Sequence, residues 1–94
     1  MYILQIEHPV KSFDEWKKVF DSDPLKRKES GVRRHRVMRL ADNPNHVVGD
    51  LEFESKDKAQ EFLALLQGIW PSLTGKLLEN PRGRIIEVVE SKEY

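Results

Sequence analysis

The sequence predicts an α+β domain in which four strands and two helices follow in the order β-α-β-β-α-β. Two observations predict it. Runs rich in β-branched and apolar residues occur at 2–8, 32–40, 46–54 and 84–90, and helix-period stripes separate the first run from the second and the third from the fourth. Turn residues, Asp42-Asn43-Pro44-Asn45, lie between the second and third runs, so that pair reads as a hairpin. Right-handed crossovers then give an antiparallel sheet in the order 4-1-3-2 with both helices on one face.

Each element has its own signal. Residues 2–8 (Tyr-Ile-Leu-Gln-Ile-Glu-His) stop at Pro9. Ser12 opens a capping box with Glu15 three residues on, and Phe13, Trp16 and Phe20 recur at helical spacing over 13–21. Asp23-Pro24 predicts a further helical turn or two ending at Ser30-Gly31. The third strand alternates Val47, Gly49, Leu51 and Phe53 against His46, Val48, Asp50, Glu52 and Glu54. Ser55 caps the second helix, Ala59, Phe62, Leu63 and Leu66 form its buried stripe, and Gly68 is expected to end it. Residues 71–79 are expected to form a short extra helix. The whole, residues 1–94, is one ferredoxin-like domain, a plan shared by many unrelated functions.

Composition bounds the function. The 94 residues suffice for one domain with a lean core. There is no Cys, which excludes disulfides, thiol nucleophiles and zinc ribbons. Lys+Arg and Asp+Glu are equal at 16 each, so no net field attracts nucleic acid or membrane. No apolar run approaches a membrane span, and Met1-Tyr2-Ile3-Leu4-Gln5-Ile6 has neither a basic region nor a small-residue cleavage site. The expectation is a cytoplasmic protein.

The sheet face away from the helices decides the biology. Opposite charges align if paired residue numbers in strands two and three put Arg36 across from Asp50 and Arg34 across from Glu52. His35 then faces Leu51, and Val37 faces Gly49, on the helix side. A one-residue slip would push two arginines against the core. The open face would carry Arg34, Arg36, Met38, Leu40, Val48, Asp50 and Glu52, with Ile3, Gln5 and Glu7 from strand one and Ile85, Glu87 and Val89 from strand four. Such a mixed surface suits a second copy: two sheets face to face bury the apolar part and pair the charges. Arg34, Arg36, Asp50, Glu52 and Glu87 are therefore the expected homodimer face. The plainer alternative is a solvated face with surface ion pairs.

The stretches Tyr2-Ile-Leu-Gln-Ile-Glu-His8, Phe13-x-x-Trp16-x-x-x-Phe20, Ser30-Gly-Val-Arg-Arg-His-Arg-Val-Met-Arg39 and Val47-Val-Gly-Asp-Leu-Glu-Phe53 resemble the dimeric α/β-barrel superfamily, in particular its antibiotic-biosynthesis-monooxygenase-like branch. The resemblance is one of strand and helix pattern and carries no catalytic signature. It implies a dimeric α/β barrel with a small aromatic or polyketide-like ligand between sheet and helices. It also implies cofactor-independent oxygenation or cyclisation, with no cofactor and no metal. A Trp near the end of the third strand marks that branch; the comparable residue here is Phe53. The haem-degrading branch uses an early Asn and a late His. This chain has no Asn before Asn43 and no His after His46, which argues against haem.

His35 is the candidate catalytic residue. On the helix side near Trp16, Phe53 and Trp70, a neutral imidazole would take a proton from a phenol or enol; the alternative is a core histidine bonded to a carbonyl. Trp16, Phe53 and Trp70 are the expected ligand-lining residues, Trp70 as a pocket wall beside Pro71. His8, His46 and Glu7 have the residue types of a metal set, but nothing fixes their spacing. Residues 26–39 form a basic run, but strands one and three offer Gln5, Glu7, Asp50 and Glu52 where an RNA binder needs exposed aromatics, so no nucleic-acid partner is expected. A non-catalytic dimeric binding or stress-related domain is the second reading.

Overall fold

The computed structural model describes residues 1–94. Its elements are β1 (Tyr2–Pro9), α1 (Phe13–Asp21), β2 (Arg34–Leu40), β3 (Asn43–Phe53), α2 (Lys56–Leu73) and β4 (Arg82–Glu87). The sheet order is β2-β3-β1-β4, the predicted order read from its other edge, with every pair antiparallel. The chain has the ferredoxin-like α+β fold.

Alternation places the side chains. Leu4 and His8 of β1 and Val47, Leu51 and Phe53 of β3 are buried on the helix side. The β2–β3 register is the one the charges demand: Arg34 opposite Glu52, His35 opposite Leu51, Arg36 opposite Asp50 and Val37 opposite Gly49. Both helices start as the sequence indicates, with Ser12 Oγ accepting from the Glu15 amide and Ser55 Oγ from the Lys58 amide, each at 3.3 Å.

Two apolar clusters form the core. Leu4, Leu51, Phe53, Ala59 and Phe62 pack under the first half of α2. Val10, Trp16, Val47, Trp70 and Leu78 pack between α1 and the second half of α2. The second cluster explains why α2 passes Gly68 and Pro71 where a break was expected. Trp70 and Leu73 must reach the α1 side, and the helix continues to carry them there. Pro71 has no N–H for the Gln67 carbonyl, and that loss is outweighed by burial of Trp70. The expected helix over 71–79 is absent beyond Leu73. Residues 74–79 are instead an irregular strap tied to the end of β1, with the Lys11 amide donating to Leu77 O at 3.3 Å and the Glu79 amide to Pro9 O at 3.1 Å.

Three further expectations fail. Residues 22–33 make turns with no helix. Asp23 takes φ 55°, incompatible with the extended backbone of an N-cap; its carboxylate accepts from the Arg27 amide at 2.9 Å and closes a turn instead. The hairpin reverses at Ala41-Asp42, so β3 begins at Asn43. Finally, β4 has the opposite parity. Gln5 pairs with Arg84 and Ile3 with Ile86, so Arg82, Arg84 and Ile86 lie on the open face. Glu87 pairs with Tyr2 on the helix side and is not part of the open face; Ile85 packs against the first cluster. The Ile-Ile and Val-Val pairs offer apolar residues to either face, whereas facing Arg84 inward would bury a charge.

Candidate functional site

A cavity of about 100 Å³ lies between the sheet and the helices. Ile6 and Val47 form its floor, Trp16 and Phe20 of α1 one wall, and Leu66 and Trp70 of α2 another. Leu78, on the strap, closes an end. Its predominantly apolar walls follow from the inward parity of β1 and β3 and from the 66–70–73 stripe of α2.

Among the lining groups, His8 is the buried imidazole, 3% exposed. It meets Trp16 edge to face, with ring centroids 5.6 Å apart. Its Nδ1–H donates a long bond to Pro9 O at 3.3 Å. Nε2 makes no bond within the chain and is not sealed in, and the imidazole that carries it is one of the cavity's lining groups. Burial holds the imidazole below its ordinary value of 6.5, reinforced by repulsion from His46 and opposed by the Pro9 carbonyl. At neutral pH it is therefore a neutral base lining an apolar space.

The structure redistributes the residues singled out from sequence. Trp16 and Trp70 line the cavity. Phe53 does not: it is fully buried against Phe62, ring centroids 5.8 Å apart, in the other cluster. His35 lies on the helix side as expected but is exposed at the sheet edge, outside the cavity, with its ring edge-on to Phe20 at 5.1 Å. Phe20 stands between it and Trp16, because β2 is the edge strand and α1 covers only part of it. Partial desolvation, then Arg27 and Lys17, lower its pKa. His8 and His46 do not converge: they point to opposite faces, and His46 Nε2 bonds Glu7 on the open face at 2.6 Å. No group of three His, Asp or Glu side chains converges as metal ligands.

On the open face one row crosses all four strands. Arg36 Nη2 donates to Asp50 at 2.9 Å, Gln5 Nε2 donates to Asp50 at 3.3 Å, and Arg84 Nη2 donates to Gln5 at 2.7 Å. Asp50 is 6% exposed in consequence. Arg34 pairs with Glu52 beside it, and Ile3 and Ile86 complete that row. The sequence placed Arg36, Asp50 and Gln5 in this row but not Arg84, and it weighed His8 only as a metal ligand, although two-residue spacing from Leu4 and Ile6 puts His8 inward.

No family model and no curated protein sequence matches the chain. Solved structures do. SnoaB, a cofactor-independent oxygenase from Streptomyces nogalater, superposes with a TM-score of 0.74 at 18% identity, over 96% of this chain and 94% of that one. An antibiotic biosynthesis monooxygenase superposes at 0.70 with 12% identity over 96% and 100%. A dimeric ferredoxin-like protein from an uncultured marine organism superposes at 0.65 with 12% identity over the full length of both chains. The structural neighbours are thus antibiotic-biosynthesis-monooxygenase-like proteins of ferredoxin fold, the superfamily that the sequence resembles. At these identities what is shared is the fold.

Proposed function

We propose that this protein is a homodimeric α/β barrel that takes a small, mostly aromatic molecule between sheet and helices, and that His8 is the base of a cofactor-independent oxygenation there. The observation that carries it is the free Nε2 of a neutral imidazole inside an apolar cavity. His8 would remove the phenolic proton, and the resulting phenolate is electron-rich enough to react with O₂. For a phenol with a free para carbon the products are the quinone and one water, so atoms and electrons balance without a further reductant. The His35 role expected from sequence passes to His8, because His35 does not reach the cavity.

The open face supports the dimer. It combines Ile3, Met38, Val48 and Ile86 with a cross-strand polar row, and a second sheet would cover both. One observation favours binding without turnover: about 100 Å³ is below the 300 Å³ or so of ordinary small-molecule sites. Oxygen uptake with small phenols separates the two readings. Uptake abolished in His8→Gln establishes the oxygenase; ligand retention in native mass spectrometry without uptake establishes the binding domain; neither result rejects both.

A further inference from the structure

Arg27 sits in the turn segment between α1 and β2, at the point where the cavity meets an outer groove; it and Asp23 line both spaces. Its side chain is only 17% exposed. The guanidinium lies 3.9 Å above the Phe20 ring, and Nη1 donates to Phe20 O at 2.7 Å and lies 3.4 Å from Asp23 Oδ1. Nε and Nη2 donate to no atom of the chain, and neither is sealed in. A guanidinium offers five N–H donors in a planar fork that matches a carboxylate. Here a held and largely desolvated guanidinium, on a residue that lines both spaces, keeps part of that fork unspent.

The groove supplies the matching field. Lys28, Arg33, Arg34 and His35 stand around it, against the single carboxylate of Asp23. Arg33 and Arg34 are already paired, with Glu54 and Glu52. Lys28 has no carboxylate within reach, and Asp23 Oδ1 is engaged by the Arg27 amide at 2.9 Å. The mouth is therefore cationic, whereas the cavity behind it is walled by Trp16 and Trp70.

We infer that the ligand is an aromatic carboxylate, its ring between Trp16 and Trp70 and its carboxylate on the free edge of Arg27. The inference rests on the cavity being the ligand site. It makes Arg27 a specificity-determining residue and Lys28 a weaker contributor. A ring with a neutral substituent would leave the guanidinium edge without its partner, and hydrogen bonds to charged groups are the stronger kind.

Benzoate and its neutral isostere benzamide test this, with quenching of Trp16 and Trp70 fluorescence as the readout. The wild-type chain is expected to bind benzoate about tenfold more tightly than benzamide at low salt. In Arg27→Met, which keeps the stem over Phe20, that preference disappears; in Lys28→Gln it shrinks by about twofold. Benzamide reports whether the cavity survives each substitution. Equal binding of the two ligands by the wild type, or a preference that persists in Arg27→Met, overturns the inference and leaves the cavity as the ligand site. Parallel loss of both ligands in Arg27→Met makes Arg27 a structural fastener and also overturns it. No quenching by either ligand at millimolar concentration rejects the carboxylate and the cavity site together.

Discussion

His8 and Trp16 meet edge to face at 5.6 Å, one from the end of β1 and the other from the middle of α1. The contact adds to the burial of the imidazole, whose Nδ1–H is bonded to Pro9 O. The folded chain consequently holds His8 neutral below the 6.5 at which an exposed imidazole takes a proton. As pH falls from 6.5 toward that lower value, the unfolded chain binds a proton that the folded one refuses. The stability associated with His8 is complete above 6.5 and is lost through that window. Urea unfolding at a series of pH values checks this: the wild type should lose up to about 1.4 kcal/mol per pH unit more steeply than His8→Gln. Identical slopes would remove the buried-base reading.

Gly68 and Gly83 should respond oppositely to alanine. Gly68 is exposed inside α2, and a methyl there meets nothing within 4 Å. Gly68→Ala should stabilise by about 0.5–1 kcal/mol, seen as a higher thermal midpoint. At Gly83 a methyl would sit 2.7 Å from Leu63 Cδ1 and 3.4 Å from Trp70 Cη2. Leu63 has freedom to turn away and the indole does not, so Gly83→Ala should cost about 1 kcal/mol.

Phe53 belongs to the core and not to the cavity wall. Phe53→Leu should lower the unfolding free energy by about 1 kcal/mol and leave ligand-induced tryptophan quenching at the wild-type midpoint. A shift in that midpoint comparable to a Trp70 substitution would return Phe53 to the ligand site.

Ile86 and Ile3 lie side by side on the open face, and Ile86 is 38% exposed. Sedimentation of the wild type at micromolar concentration is expected to show dimers. Ile86→Glu should weaken association by roughly a hundredfold, because it buries a charge without a partner. A wild-type monomer would end the barrel reading and leave the row through Asp50 as a solvated ladder.

Periodicity, crossover handedness and charge pairing, all legible in the sequence, determined the element order, the sheet order and the β2–β3 register. Alternation and the Arg34/Glu52 and Arg36/Asp50 pairs leave one arrangement that keeps charge out of the core. N-cap serines located both helix starts, since each depends on an amide only three residues away. Tertiary packing decided the rest. α2 runs through Gly68 and Pro71 because Trp70 has a buried place on the α1 side, a gain that no local propensity contains. The face of β4 was settled by the room beside Leu4, Leu63 and Trp70, into which only Gly83 fits. The choice between histidines was likewise spatial. The register puts His35 on the helix side, yet it lies on an edge strand that α1 leaves partly open, while His8 lies on a central strand covered by both helices. Burial is a property of what covers a residue, and those covering groups come from distant parts of the chain.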